Sequence, residues 1–276
     1  RQSEQENPQT VMWPLYLSSK FQKTGGAEVN GSVEVTFFMD GSQLFWWLRS
    51  TGKRDALISS HPTFLEVPHV GQRHAWDCGL ACVLMVLKTI GINNCDLDTL
   101  EKLCCTTSIW TVDLAYLLQR FSVSFSYFTV TLGANPNFNS EAFYKDQLPN
   151  DLVRVDMLFQ KAMETGISIQ CRSMSESEIS FMILTGKYVA IALVDQYKLS
   201  QNWLDDVCVL DSHCGNLGYT GHYIVICRYD ADTDEFEIRD PASSRGHERI
   251  SSKCLAKARK SFGTDEDLLL ITLEKS

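Results

Sequence analysis

The order in which helical and strand patterns follow one another most constrains the fold of this chain. From about Leu65, segments with apolar residues at helical spacing dominate the first half of the sequence, and apolar or β-branched runs dominate the second half. Segregation of helices and strands along a chain is typical of α+β proteins, whose helices pack on a largely antiparallel sheet. We therefore predict an α+β fold with an N-terminal helical half packed on an antiparallel sheet.

The individual elements follow from their caps and periodicity. Two helices are predicted to begin at capping boxes, one at Asp98 and one at Ser175. Further helices are predicted over 77–90, 111–121, 152–165 and 252–261. Strands are predicted over 123–132, 167–171, 188–194, 222–229, 235–239 and 268–273. Residues 196–220 are predicted to form a long loop, of the kind that often carries function.

Composition limits the domain organisation and the partners. The chain has 276 residues, 44% of them hydrophobic, which is enough for a packed core without disulfides. We predict a poorly structured extension over residues 1–60 and a single domain over 61–276. The net charge of −9 argues against nucleic acid or an anionic membrane as the main partner. No apolar run is long enough for a membrane-spanning helix, so none is expected.

Ten cysteines point to a reducing compartment. Cys82, Cys104 and Cys227 lie within apolar, periodic segments, where a free cysteine behaves as a small hydrophobic residue. The expected location is therefore the cytoplasm or the nucleus. The segment from Cys208 to Cys214 lacks the usual ligand spacing of zinc sites, so no metal site is predicted there.

Cys78 is the strongest candidate for a nucleophile, because it stands at the predicted start of an amphipathic helix. The free N–H groups and partial positive charge of a helix start stabilise a thiolate, which is the reactive form of cysteine. Gln72, six residues earlier, is placed to fold back and donate its amide hydrogen to an oxyanion. The alternative, a structural cysteine in a core helix, stays open at this point.

His222 and Asp240 are the candidate base and its orienting carboxylate. A hairpin with its turn centred on Ala231 places His222 opposite Asp240 at the open end, on one face of the sheet. The carboxylate then holds the imidazole in the tautomer that leaves its other nitrogen free for a thiol. Taken alone, Asp240 is also explained as part of a turn at a strand end.

These motifs resemble those of papain-like peptidases that cleave double-glycine leader peptides in bacteriocin export. The matching residues are Gln72, Asp-Cys-Gly at 77–79, Gly-His-Tyr at 221–223 and Asp-Pro at 240–241. The resemblance implies a papain-like cysteine-peptidase fold with a catalytic triad of Cys78, His222 and Asp240. It also implies that Gln72 lines the oxyanion hole.

Nearly the whole chain from about Leu65 also resembles the plant-type guanylyl-cyclase-like family of eukaryotes. The matching stretches are 76–82, 108–116, 221–226, 240–242 and 261–267, of which 108–116 and 261–267 are specific to that family. Residues 27–58 do not match the expected pattern. The resemblance implies conversion of GTP to cyclic GMP and pyrophosphate, with a Mg or Mn ion as cofactor.

The residues themselves offer less for a cyclase than for a thiol enzyme. Gly26 to Gly31 has phosphate-loop spacing, but Ser32 stands where a lysine is needed. Acidic metal-ligand candidates and basic phosphate-binding candidates form no recognised motif; they are Asp195, Asp205, Asp206, Asp211, Arg73, Lys187, Arg228 and Arg245.

Three functions therefore stay open. The first is a guanylate cyclase with GTP as substrate, as the family resemblance implies. The second is a thiol hydrolase for a peptide or isopeptide, which needs no cofactor and which the residues support better. The third is a non-catalytic module that binds a peptide.

Overall fold

The computed structural model describes residues 66–162, 164–200 and 219–273. The predicted extension over residues 1–60 lies outside the described residues, and so does most of the predicted loop 196–220. All of the structural findings below refer to the described ranges.

The described ranges contain eight α-helices, five of them before residue 163. They are α1 (Cys78–Thr89), α2 (Leu97–Cys104), α3 (Thr111–Arg120), α4 (Ala142–Lys145), α5 (Leu148–Ala162), α6 (Glu176–Leu184), α7 (Gln196–Ser200) and α8 (Ser252–Arg259). A 3-10 helix, Pro136–Ser140, precedes α4. No helix in this part of the chain is long and apolar enough to cross a membrane.

The strands form one seven-stranded sheet. They are β1 (Phe125–Thr129), β2 (Ile169–Cys171), β3 (Tyr188–Asp195), β4 (Gly221–Asp230), β5 (Glu235–Arg239), β6 (Glu248–Ser251) and β7 (Leu268–Thr272). Their spatial order is β2-β1-β7-β3-β4-β5-β6. Every neighbouring pair is antiparallel except β1 and β2, which are parallel. The predicted α+β fold with a largely antiparallel sheet is confirmed.

Both faces of the sheet are covered by apolar side chains. On one face, α1, α3 and α5 pack on alternate residues of the central strands, including Val189, Ile191 and Val225. On the other face, α6 and α8 pack on the intervening residues, including Ala190 and Ile224. This alternation follows from the two-residue repeat of a strand. It explains why the central strands are almost wholly apolar in sequence.

The central helix α1 begins against the sheet rather than in solvent. Its residues from Cys78 to Leu87 are all buried. A Cβ atom at Gly79 would lie 3.0 Å from the ring of Tyr223 on β4 and 3.0 Å from Leu114 on α3. Glycine at this position therefore lets the start of α1 approach β4 closely. A helix that begins at the candidate nucleophile and packs on an antiparallel sheet is the arrangement that a papain-like fold requires.

Two helices begin earlier in the chain than predicted, and one predicted helix start is confirmed. The predicted capping box at Asp98 is wrong, because Asp96 caps α2 two residues earlier by accepting a hydrogen bond from the Thr99 N–H at 2.9 Å. The capping box at Ser175 is confirmed: the Glu178 N–H donates to Ser175 Oγ, and the Ser175 N–H donates to the Glu178 carboxylate. The helix predicted over 152–165 instead spans Leu148–Ala162.

Candidate functional site

Cys78 is the first residue of α1 and is 6% exposed. The first N–H groups of a helix have no acceptor within the helix, so the thiol lies beside unpaired donors and the positive end of the helix dipole. Other groups are brought to this thiol by β4 and by the turn that follows β5. Cys82, one helical turn deeper, is fully buried, and burial raises the pKa of its thiol well above the usual value.

The hairpin of β4 and β5 places His222 and Asp240 together, but not in the predicted register. The observed partners are Ile226 with Ile238 and Asp230 with Glu235, so the strands are offset from the prediction by two residues or more. The register also shifts between Ile226 and Arg228 at an irregularity. An offset of two residues keeps side chains on the same face. His222 and Asp240 therefore meet diagonally rather than directly opposite.

His222 links the carboxylate to the thiol. Its Nε2 atom lies 2.7 Å from Oδ1 of Asp240, and its imidazole lies close enough to Cys78 for that residue to contribute to the raised pKa of the ring. An ionised carboxylate only accepts hydrogen bonds, so Nε2 carries a hydrogen and Nδ1 is the nitrogen left for the thiol. The structure thus brings together three of the four predicted site residues.

The interaction between His222 and Asp240 favours the charged forms of both side chains. Burial by itself lowers the pKa of His222, but interactions with Asp240 and Cys78 outweigh burial and raise that pKa to about 9. Burial likewise tends to raise the pKa of Asp240, yet the hydrogen bond and charge of His222 hold it below its usual range. The Ala242 N–H also donates to Asp240 Oδ1, at 2.8 Å. The imidazole is therefore well suited to accept a proton from a nearby thiol.

Gln72, the fourth predicted residue, is joined to the site through the turn that follows Asp240. Its backbone N–H donates to the carbonyl of Pro241 at 2.9 Å. Its side-chain Nε2 donates to the carbonyl of His74, also at 2.9 Å. Just before it, Nε2 of His69 lies 2.8 Å from the carbonyl oxygen of Asp240. The segment from His69 to Gln72 is thus fixed against the residues that carry the candidate carboxylate.

Two buried charged residues near the site were not predicted as functional. Asp77 is fully buried and accepts hydrogen bonds from the backbone N–H groups of Arg73 and His74. Arg239 is 1% exposed and donates to the carbonyl of Val67 at 2.8 Å, so it ties the start of the described chain to β5. Asp77 could have been recognised from its position directly before a helix, whereas the burial of Arg239 had no signal in the sequence.

The family-specific stretch 108–116 forms a buried polar network beside the site. Trp110 donates from its backbone N–H to Asp113, and Arg154 pairs with Asp113 at 2.6 Å, which joins α3 to α5. Thr111 Oγ1 lies 3.0 Å from the hydroxyl of Tyr223, the neighbour of His222. The motif therefore contributes to the packing behind His222.

The acidic candidates for a metal site are engaged elsewhere. Asp195 accepts hydrogen bonds from Ser261 at 2.8 Å and from the Tyr197 N–H at 3.1 Å. Asp265 and Asp267, in the second family-specific stretch, accept from Thr131 and Tyr127. Within the described ranges, no group of three or more His, Cys, Asp or Glu residues is placed to hold a metal ion. The other acidic candidates, Asp205, Asp206 and Asp211, lie outside the described residues, as does the segment from Cys208 to Cys214.

Fold and site together define an α+β protein in which a cysteine at a helix start faces a histidine–aspartate pair. Residues 67–271 match the model of a family described as guanylylate cyclase, and the chain belongs to this family. It is 66% identical over 273 residues to Guanylyl cyclase 1 of Arabidopsis thaliana, an alignment that covers 95% of this chain and 97% of the relative. The predicted membership in the plant-type guanylyl-cyclase-like family is confirmed.

A solved structure is also similar. It is a protein of Bacillus anthracis described as a C39-like peptidase, 13% identical, with 76% of this chain and 96% of that chain covered and a TM-score of 0.41. At this score the likeness bears on neither the fold nor the function.

Proposed function

We propose that this protein is a thiol hydrolase that acts on a peptide or isopeptide bond through Cys78. The observation that carries the proposal is the position of His222, which is hydrogen-bonded to Asp240 and lies close enough to Cys78, at the start of α1, to interact with it electrostatically. A nucleophile, a base and an orienting carboxylate in this order are the recurring elements of thiol catalysis.

Acylation would begin with transfer of the Cys78 proton to Nδ1 of His222. The thiolate then attacks the carbonyl carbon of the substrate, and a carbon–sulfur bond forms. As the tetrahedral intermediate collapses, the imidazolium gives its proton to the leaving amine and the carbon–nitrogen bond breaks. Asp240 holds the ring in place and stabilises its positive charge during both steps.

Deacylation would use the same groups, with water as the nucleophile and the Cys78 thiolate as the leaving group. His222 takes a proton from water, the resulting hydroxide attacks the thioester, and the Cys78 thiolate leaves as the carboxylic acid product is released. In both steps the negative oxygen of the intermediate would be stabilised by the Cys78 backbone N–H and the Gln72 side-chain amide. No metal ion or other cofactor takes part in this sequence.

The reactivity of Cys78 tests the proposal directly. The full chain is treated with iodoacetamide near neutral pH, and the alkylation rate of each cysteine is followed by peptide mass spectrometry. Cys105 and Cys171 are exposed and serve as internal references. We expect Cys78 to react at least about tenfold faster than either reference, although it is buried, because a neighbouring base and a helix start make a cysteine a better nucleophile. A rate no higher than that of the references would rule the hydrolase out.

A guanylate cyclase is the second candidate, because a relative named Guanylyl cyclase 1 is 66% identical over nearly the whole chain. For Mg or Mn, the described acidic side chains do not fit, since Asp195, Asp265 and Asp267 are each engaged by hydroxyl or backbone donors. The cyclase candidate therefore rests on the relationship alone. The binding of a peptide without catalysis remains the third candidate.

Purified protein incubated with GTP and either Mg²⁺ or Mn²⁺ tests the cyclase, with the Cys78→Ala variant in parallel. Cyclic GMP formed equally by both proteins would show a cyclase that does not depend on the thiol. Cyclic GMP absent from both, together with a reactive Cys78, would leave the hydrolase. Failure of both assays would favour the peptide-binding module.

A further inference from the structure

The short loop between Gln72 and Cys78 joins the two groups that would stabilise an oxyanion, and one buried carboxylate controls its shape. Asp77 is fully buried. Its oxygens accept hydrogen bonds from the Arg73 N–H at 3.0 Å and 3.2 Å and from the His74 N–H at 2.9 Å. A carboxylate that accepts several backbone N–H groups fixes a loop strongly, because each bond has a charged acceptor.

The side chains of the same loop turn away from Asp77. The guanidinium of Arg73 pairs with Asp98 at 2.5 Å, and the ring of His74 stacks on Trp76 with their centres 5.5 Å apart. Asp77 therefore acts on this loop through its backbone. Although Asp77 occupies the cap position of α1, its side chain does not cap that helix. Its hydrogen-bonding capacity is directed to the loop instead.

The backbone of His74 connects Asp77 to Gln72. Asp77 accepts from the His74 N–H, and the His74 carbonyl, in the following peptide group, accepts from Nε2 of Gln72 at 2.9 Å. An amide nitrogen carries two hydrogens, so one of them orients the side chain and the other stays available to a substrate. Asp77 thus holds one end of the residue whose carbonyl orients the Gln72 amide.

We infer that Asp77 is a positioning residue, which acts through the His74 backbone to aim the Gln72 amide at the acyl oxygen of a substrate bound at Cys78. This inference rests on the proposed function and adds a residue to it. Asp77 would not touch the substrate. It would keep the Gln72 side-chain donor in a fixed position relative to the Cys78 N–H, the backbone donor of the residue that directly follows Asp77.

Two reactions of the same thiol separate this role from a general effect on the site. With iodoacetamide, the sulfur displaces iodide and no oxyanion forms. With p-nitrophenyl acetate, the sulfur attacks a carbonyl, an oxyanion forms, and p-nitrophenolate leaves as the carbon–oxygen bond breaks. A residue that positions the oxyanion donor should affect the second reaction and spare the first.

The test uses the full chain with Asp77→Asn and Asp77→Glu. Asparagine loses the charge and one acceptor, while glutamate keeps the charge one methylene further out. We expect the acylation rate to fall at least about tenfold in both variants, given that loss of a whole oxyanion donor costs roughly 10²–10³-fold. The iodoacetamide rate of Cys78 should stay within about twofold of wild type, since oxyanion donors play no part in that displacement.

Asp98→Asn is the matched control, because it breaks the Arg73 side-chain contact and leaves the backbone bonds of the loop in place. Asp98 is 59% exposed, so both rates should stay within about twofold of wild type. Gln72→Ala should lower acylation at least as much as Asp77→Asn. The double variant should lose little more than Gln72→Ala alone, because both changes act through one donor.

The possible results lead to different conclusions. Equal losses in acylation and alkylation, additive losses in the double variant, or failure of both Asp77 variants to fold would each overturn the positioning role. A wild-type protein whose Cys78 is neither alkylated nor acylated would instead remove the proposed function itself, and the inference with it.

Discussion

The Cys78 site and the acidic turn from Asp265 to Asp267 are both clusters of ionisable groups. The charged forms of His222 and Asp240 are favoured in the first, and the charged forms of the carboxyls are disfavoured in the second. In the Cys78 site, His222 and Asp240 stabilise each other in their charged forms, so the pKa of the imidazole is raised and that of the carboxyl is lowered. Each group there has a partner of opposite charge at hydrogen-bonding distance.

In the acidic turn, by contrast, the pKa values of two carboxyls are raised, which favours their neutral forms. Burial raises the pKa of Asp265 to about 6. Burial, with the charge of Asp265 as a further cause, raises the pKa of Asp267 to about 8. Their neighbours include the hydroxyls of Thr131 and Tyr127, which donate hydrogen bonds but carry no positive charge. In these two clusters, the buried carboxyl beside a cation has a lowered pKa, whereas the buried carboxyls beside neutral hydroxyls have raised ones.

Among the variants that test this comparison, Asp240→Asn should have the largest effect. The asparagine cannot stabilise the imidazolium, so acylation of Cys78 is expected to fall by up to about 10⁴-fold. The variant also removes an interaction that raises the pKa of His222, so the alkaline limb of the pH–rate profile should move to lower pH. Acylation rates measured from pH 5 to pH 10 check both points.

The control for this prediction is Asp267→Asn, the same chemical change in the acidic turn. It should leave the acylation rate and its pH profile close to those of wild type. Equal losses in the two variants would show that the catalytic effect of Asp240→Asn comes from unfolding.

Asp267→Asn should affect stability rather than catalysis, and in a pH-dependent way. The pKa of Asp267 rises from 3.8 to about 8 on folding, so the wild-type protein loses stability as pH rises through this interval. Asparagine does not titrate, so the free energy of unfolding of the variant, relative to wild type, should increase by up to about 1.4 kcal/mol per pH unit. Above pH 8 the difference should level off.

Urea unfolding of both proteins at pH 5, 7 and 9 measures this difference. Stability curves that run parallel across the three pH values would contradict the raised pKa of Asp267. Asp267→Ala serves as the comparison for lost packing, since it removes the carboxyl without replacing its volume.

The smallest effect is expected at the surface of the same turn. Ser173, at the protein surface, donates a hydrogen bond to the partly buried carboxylate of Glu266. Ser173→Ala should change the free energy of unfolding by no more than about 0.5 kcal/mol, because water replaces the lost partner. Thermal or urea unfolding measures it, and a loss above about 1.5 kcal/mol would show that the turn depends on its outer contacts.

Much of the fold was predictable because helices and strands in this chain follow their local patterns. The strand Glu235–Arg239 was predicted to the residue, and the boundaries of α1 and α3 differ by one residue at most. Strand β6 was missed, since its sequence Glu-Arg-Ile-Ser is short and polar and only its pairing with β5 defines it. Tertiary pairing, rather than local propensity, makes such an edge strand.

In the candidate site, too, features set by local sequence pattern could be predicted and features set by tertiary contacts could not. The common face of His222 and Asp240 was predicted correctly from the two-residue repeat, although the register was not, because the turn from Asp230 to Glu235 is longer than expected. The hydrogen bonds of Asp77 were not predicted, since their N–H donors come from a loop whose shape no periodicity specifies. Side chains that act on irregular backbone are therefore the hardest functional residues to find in a sequence.

The place of β7 in the sheet has a consequence for how the protein is made on the ribosome. β7 is the last described strand in the chain, yet it lies between β1 and β3 and joins the two parts of the sheet. At roughly 5–20 residues per second, Cys78 emerges several seconds before His222, and the sheet is completed only when β7 follows. Cys78 therefore leaves the ribosome well before His222 and Asp240, and the three side chains can meet only after β4 and β5 have been synthesised.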